Sequence, residues 1–458
     1  MTALWTSDAI AAATGGTASA PFSVHGVAFD SREVQPGDLF VAMRGENTDG
    51  NKFIDGALAA GASGILCEIV VDGPHVLVPD AAAALVALGE ASRARCAGRI
   101  IGVTGSVGKT GTKEALFAAL ERHRPGRAHR SVKSYNNHTG VPLSLARMPA
   151  RAAFGVFEMG MNHAGEIAVL TRQVRPHIAV ITAIAPAHIE NLGSIEAIAD
   201  AKAEIFEGLE PGGIAILPFD SPQYARLHKA AQTARAAIIS FGLTEGADVR
   251  ALDWLADGNG GTIVTAAVHD HLLCFTLSQT GDHWVANSMA VLAAVKAAGG
   301  DLAAAGLALA ELEGLAGRGA RHRIAHGDGE ILLIDESYNA NPASMIATLR
   351  ELGTAQGTRR IAVLGSMKEL GDHSDRFHAE LADPVMQAGA DFALLVGAEM
   401  APLAKALEGR IKFAHVAHAA AAGAILAEMA RAGDVILIKG SNSVGLSRLI
   451  ATMTGGEN

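Results

Sequence analysis

A short apolar run, Arg99-Ile-Ile, enters the glycine-rich turn Gly102-Val-Thr-Gly-Ser-Val-Gly-Lys109-Thr110-Gly-Thr112. It leaves as Lys113-Glu-Ala-Leu-Phe-Ala-Ala-Leu120, a strong helix former. Strand, glycine turn and helix in that order constrain the fold more than any other stretch. They aim successive backbone N–H groups and a helix N-terminus into one concavity, a ready anion site. In such a turn Lys109 reaches the terminal phosphates of a nucleotide and the Thr110 hydroxyl holds Mg²⁺. The usual spacing places a glycine at 103, but Val103 stands there and Gly102 comes one residue early. A turn that only packs a helix on a sheet is the competing reading, and the Lys-Thr pair speaks against it.

The rest of the chain repeats the alternation of apolar strand and helix. With 458 residues it is long enough for two to four domains. Only 4% of residues are aromatic while glycine alone counts 52, which suits small-residue packing of helices on sheets. Residues 1–95 hold short strands at Val27–Arg32 and Asp38–Met43 and a helical stretch at Asn51–Ala62. Residues 96–317 carry strands at Ile100–Val103, Gly155–Glu158, Ile178–Thr182, Gly213–Leu217 and Ile238–Phe241. This rhythm predicts a largely parallel sheet covered by helices. Residues 318–458, after the linker Gly317-Arg318-Gly319, repeat it at Ile331–Asp335, Ile361–Gly365, Phe392–Val396 and Val435–Ile438. The expected class is α/β with three domains: a small N-terminal α/β domain, a central parallel-sheet phosphate-loop domain and a C-terminal Rossmann-like domain. The last has no GxGxxG after its first strand, so it is not read as a dinucleotide binder.

Several classes are disfavoured. A net charge of −10 argues against general nucleic-acid binding. The basic stretch Glu121–Arg130 reads as a solvated turn after the phosphate-loop helix. No uninterrupted apolar run approaches membrane-spanning length, and the N-terminus lacks a signal-peptide pattern. Cys67, Cys96 and Cys274 form no metal or redox spacing, so each is expected to be a small buried hydrophobe in a reducing cytoplasm.

Four further places carry candidate chemistry. Glu158 ends an apolar strand, and His188 follows another. Ligands of open α/β sheets collect at the carboxyl ends of strands, so both could bind metal beside the phosphate loop, although a lone Glu or His is more often structural. The segment Ser194–Leu209 has a helical apolar stripe of Ile195, Ile198, Ile205, Phe206 and Leu209, with Ser194 as N-cap. Lys202 falls inside that stripe, where an unpaired ammonium loses hydration. It either snorkels to an edge or serves a site, as a charge or in modified form. Lys133–Leu143 and Asp335–Ser344 are dense in polar donors next to buried strands, and the second makes a better binding loop than packing element.

Taken together, these motifs resemble the Mur ligases of peptidoglycan synthesis, over nearly the whole chain. Thr104, Gly105, Ser106, Val107, Gly108, Lys109, Thr110 and Gly111 are similar to the family's ATP loop, whose form explains the missing glycine at 103. Asn136 and Asn137, with Thr139 and Gly140-Val-Pro-Leu143, resemble its substrate loop. Glu158–His163 resembles the metal-binding strand end. His188 and Lys202 match the second metal ligand and the lysine that is carbamylated in the family. Gly281–Asn287 resembles the adenine segment through Asn287. Arg318, Glu336, Tyr338, Asn339 and Asn341 fall on the C-terminal nucleotide and substrate loops. Asp30-Ser31-Arg32, Pro36–Phe40 and Arg44–Gly50 resemble the domain that grips a UDP-sugar. Asn51-Lys52-Phe53, Tyr135 and Thr139 depart from the usual residues.

The resemblance implies ATP-dependent amide-bond formation with Mg²⁺, with Lys109, Glu158, His188 and Lys202 catalytic. Thr110, Glu158, His188 and carbamylated Lys202 would be the metal residues. Desolvation favours a neutral amine able to capture CO₂, which accounts for Lys202 inside an apolar stripe. The implied partners are UDP-N-acetylmuramoyl-tripeptide and D-alanyl-D-alanine, joined through an acyl phosphate by a monomer. The alternatives are a sister ligase adding the third amino acid, a folylpolyglutamate synthase, or a non-catalytic nucleotide-binding module.

Overall fold

The computed structural model describes residues 3–45, 48–258 and 260–455, so Glu46 and Asn47 of the Arg44–Gly50 motif lie outside the described residues. Three large sheets follow one another along the chain. The first runs Thr17–Ala18, His75–Leu77, Gly64–Cys67, Asp38–Val41, Gly26–Ala28, with all neighbours parallel except the first pair.

The second sheet has nine strands. Ala128–Arg130, Phe154–Glu158, Arg99–Thr104, Ile178–Ile181, Ile214–Pro218, Ala237–Gly242 and Val249–Ala256 lie side by side and parallel. Strands covered on both faces read as unbroken apolar runs, and Ile178–Ile181 is buried at every position. Thr262–Val268 and His271–Leu277 extend the sheet as an antiparallel meander. Here burial alternates, which leaves Cys274 exposed; Cys67 and Cys96 are buried as expected. The period of two at a half-covered edge, rather than any property of cysteine, decides this.

The third sheet runs Ala320–His326, Gly329–Glu336, Asp434–Lys439, Arg359–Gly365, Phe392–Val396, Phe413–Val416, parallel apart from its first hairpin. One buried apolar cluster is continuous from Phe157 and Ile181 of the second sheet to Ile334 and Leu437 of the third.

The first sheet is anchored by a helix that comes later in sequence. Gly140–Ala146 is buried at all seven positions, and Leu143 and Ala146 join the core around Trp5 and Leu85. Trp5 Nε1 donates to Ala146 O at 2.9 Å. The 194–209 segment also differs from a single helix. An α-helix spans Ile195–Ala203, and a tighter turn spans Glu204–Gly208. Tightening changes the angular step, so Ile205 and Phe206 are both buried, while Ile195 in the overhanging first turn is 36% exposed. No helix among the described residues is long and apolar enough to cross a membrane.

Candidate active site

The carboxyl ends of the central strands of the second sheet face those of the third across a cleft of about 840 Å³. At its floor the loop after Arg99–Thr104 turns into the helix Lys109–His123. Gly105 (φ 148°) is compelled by a close approach: a Cβ there would stand 2.0 Å from Thr182 Oγ1. Ser106 Oγ donates to Ala185 O at 2.9 Å, and Thr104 Oγ1 donates to Met159 O at 2.8 Å. The loop is thereby fixed before any ligand arrives. Gly102 belongs to the strand, where its missing side chain makes room for Met159; it is a packing glycine, which is why it stands one residue early. Lys109 Nζ donates to Gly105 O at 2.7 Å and lines the cleft. Burial lowers its pKa, opposed by nearby Glu158.

Glu158 is fully buried at its strand end. Thr110 Oγ1 donates to its Oε2 at 2.9 Å, and Asn136 Nδ2 to its Oε1 at 2.7 Å. A hydroxyl and a carboxylate at the foot of a phosphate loop are hard oxygen donors of the kind Mg²⁺ takes. Among the described residues no three His, Cys, Asp or Glu side chains converge into a complete metal site. A cation here would therefore draw most of its ligands from phosphate and water, again as Mg²⁺ does.

Lys202 is 1% exposed, and its pKa is pushed well below the ordinary value, first by burial and then by Lys109. No hydrogen bond or ion pair of its Nζ occurs among the described residues, and of the neighbouring charges Lys109 opposes the ammonium more than Glu204 favours it. His188 lines the cleft in a left-handed conformation, φ 59°, at the start of the one-turn helix Ile189–Leu192. Its Nδ1 stands in close contact with the carboxylate of Glu369, which arrives from the third sheet. That contact holds the Glu369 carboxyl below its usual range.

The opposite wall comes from the third sheet. Arg318 reaches back to Ser134 Oγ at 3.1 Å, and its guanidinium lies 4.0 Å from the centre of the Tyr338 ring. Lys439 Nζ holds Glu336 Oε2 and Asn339 O, both at 3.0 Å. The 335–344 stretch is only half a loop, because a helix begins at Pro342. Asn341 lines the cleft, but its side chain is the N-cap of that helix, accepting from Ser344 N at 2.9 Å.

Lys109, Asn136, Glu158, His188, Asn287, Arg318, Glu336, Tyr338, Asn339 and Asn341 thus share one cleft with Ser106, Val107, Gly108 and Gly111. Thr104, Thr110 and Lys202 stand behind its wall. Asn137 and Thr139 do not face it: Asn137 Oδ1 accepts from Thr139 N and Gly140 N, ordering the start of the buried helix. Ser31, Arg32 and Arg44 lie apart on the first sheet's side. Arg32 is paired with Asp30, whose pKa that contact lowers to about 2, and Arg44 pairs with Glu68. Tyr135, a departure from the family pattern, donates to Glu33 Oε1 at 2.9 Å, tying the 133–139 loop to the first sheet's turn. His283 and Trp284 of the expected adenine segment line the cleft too, while sequence reasoning missed Lys368, Glu369, Lys439 and Ser441–Ser443. The strand-end rule that found Glu158 also applies to Gly365 and Lys439, the last residues of Arg359–Gly365 and Asp434–Lys439.

Three family models match in order. They are described as Mur ligase family, catalytic domain (residues 23–93), Mur ligase middle domain (103–295), and Mur ligase, glutamate ligase domain (320–442). The UDP-N-acetylmuramoyl-tripeptide–D-alanyl-D-alanine ligase of Bacillus subtilis is 33% identical over 93% of this chain and 92% of its own length. The chain belongs to the Mur ligase family. Among solved Mur ligases, MurF from Acinetobacter baumannii superposes with a TM-score of 0.84 at 30% identity, covering 98% of this chain and 99% of that one. MurF from Thermotoga maritima, in complex with ADP, gives 0.77 at 29% identity over 94% of this chain and 97% of that one.

Proposed function

We propose that this Mur ligase joins D-alanyl-D-alanine to UDP-N-acetylmuramoyl-tripeptide at the expense of ATP, yielding the pentapeptide precursor of peptidoglycan. One observation carries the reading: a phosphate loop and a buried Glu158, which Thr110 engages from behind, face, across one cleft, polar strand ends of the third sheet. The near-full-length relatives of that name support the choice of substrates.

A carboxylate is a poor electrophile until its oxygen becomes a leaving group. The tripeptide carboxylate takes the γ-phosphoryl group, releasing ADP. The amine of D-Ala-D-Ala then attacks the acyl phosphate, and phosphate and a proton leave. Lys109 and the loop N–H groups oppose the charge on the transferring group. Thr110 and Glu158 would hold Mg²⁺, with His188 and a CO₂-derived carbamate on Lys202 around a second ion, and bound metal supplies charge neutralisation between phosphate and carboxylate. Asn287 and Trp284 border the nucleotide side. Arg318, Glu336 and Tyr338 close from the third sheet, and closure keeps water from the acyl phosphate. For His188 to face a cation, Glu369 must give it up. Residues 1–95, with Ser31, Arg32 and Arg44, would hold the UDP-sugar, residues 96–317 the ATP, and residues 318–458 would close as a ligase domain. We take the enzyme to be a cytoplasmic monomer.

Phosphate release with ATP, Mg²⁺, UDP-N-acetylmuramoyl-tripeptide and D-Ala-D-Ala, each omitted in turn, tests this. Release that needs all four, with a pentapeptide mass, supports it. Release with a dipeptide precursor and a single amino acid would move the chain to a sister ligase, and none at all, with ATP bound, would make it a binding module.

A further inference from the structure

Lys113, one turn beyond the phosphate loop, is 0% exposed. The reaction above gives it no task, and an ammonium is costly to bury without compensation. Its Nζ donates to the backbone carbonyl of Lys133 at 2.5 Å, pairs with Glu114 Oε1 at 3.0 Å, and stands 3.9 Å from Glu158 Oε2. Glu114 is in turn paired through Oε2 with Arg130 Nε at 2.6 Å, and the Arg130 guanidinium lies 3.8 Å from the centre of the Phe117 ring. Arg130 is therefore not part of a solvated turn; it ends the strand Ala128–Arg130 and closes a chain of alternating charge running inward to Glu158.

The three contacts of Lys113 join three elements. Glu114 is on its own helix, Glu158 is the strand end read as a cation ligand, and Lys133 opens the polar loop that carries Asn136. Lys133 has φ 50°, a conformation a non-glycine residue holds only when its surroundings impose it. Beyond that bend Asn136 donates to Glu158 Oε1, while the Lys133 ammonium and Tyr135 reach Glu33 beside the first sheet. At 3.9 Å Lys113 steers the carboxylate without taking up the oxygens that Thr110 and Asn136 engage.

We propose that Lys113 is a positioning residue that sets the Glu158 carboxylate and the 133–136 loop in one register, so that the nucleotide–cation site and the peptide-precursor site form together. The inference rests on reading Glu158 as a Mg²⁺ ligand.

The test is calorimetric titration of Lys113→Met with ADP, with and without Mg²⁺, alongside KM for UDP-N-acetylmuramoyl-tripeptide. The Mg²⁺-dependent gain in ADP affinity should shrink by about 10–100-fold, the cost typical of removing a group that orients a metal ligand. Metal-free ADP affinity should be unchanged, and KM for the UDP-peptide should rise. Glu114→Gln, which weakens the anchorage from outside, should move both readouts the same way by less, and it decides the matter should Lys113→Met not fold. A folded Lys113→Met with the wild-type gain and KM, or a folded Glu114→Gln with no change while Lys113→Met fails to fold, overturns the proposal. So does an equal fall in affinity with and without Mg²⁺, which marks plain damage to the phosphate loop. If wild type itself gains nothing from Mg²⁺, the reading of Glu158 fails instead.

Discussion

Single residues here are decided by what surrounds their polar atoms. Lys202 is buried and makes no ion pair among the described residues, so its amine is destabilised as a cation, and the proposed function would have it become an anion by carbamylation. Removing the amine should therefore cost the fold little. Lys202→Met is expected to melt no lower than wild type in CO₂-free buffer, since an apolar side chain of similar length carries none of the desolvation cost of an unpaired buried amine. Its turnover is expected to fall by about 10–100-fold or more. A lower melting temperature with intact turnover would refute the assignment. His129 shows burial acting on a different group. Its Nε2 donates to Ser144 O, 2.8 Å away, and burial lowers its pKa to about 4. Its folded pKa lies below the unfolded value near 6.5, so between the two the unfolded chain binds more protons and stability falls as pH falls. His129→Gln should therefore flatten the melting temperature against pH from about 6.5 to 4.

At the scale of elements, the phosphate loop was legible because its chemistry depends on backbone conformation and contiguous residues. Gly105→Ala tests this: the added Cβ meets Thr182 Oγ1 at 2.0 Å, and φ 148° suits glycine. The expected cost is about 1–3 kcal/mol in urea unfolding together with loss of ATP binding. A variant that kept ATP affinity would show that the loop is set by the ligand instead. The parallel strands were legible for a similar reason, as each is a continuous apolar run. The strands toward the meander edge, Val249–Ala256, Thr262–Val268 and His271–Leu277, were not, because partial burial at an edge leaves mixed sequence. Asn137 and Asn341 are ligand contacts by the family resemblance, yet Asn137 Oδ1 orders the start of the buried helix, and Asn341, which still lines the cleft, caps another with its own. An asparagine serves both tasks equally well, so only geometry separates them.

Across the whole molecule, contacts between the second and third sheets set the cleft. Arg321 Nη2 donates to Thr280 Oγ1 and to Glu351 Oε1, each at 2.6 Å, and Glu351 is 7% exposed. Glu351→Ala leaves that guanidinium half-paired and should loosen the third sheet's domain from the second. A larger radius of gyration in X-ray scattering and a raised KM for ATP are expected, with phosphate-loop residues untouched. An unchanged scattering curve would show that His188–Glu369 and Arg318–Ser134 hold the arrangement without it.

The sequence by itself determined the three-part α/β order and the phosphate loop, and it marked an acid, a histidine and a lysine as candidates beside it. Each is written in neighbouring residues: a turn, a strand end, a stripe. Only the tertiary structure decided which polar residues reach the cleft, that Glu369 and Lys439 share it, and that Lys113 and Arg130 turn inward. Those outcomes depend on pairs tens to hundreds of positions apart, such as Lys113 with Lys133 and His188 with Glu369. A buried charge is tolerated only where the fold brings its partner, and local pattern carries no record of that meeting.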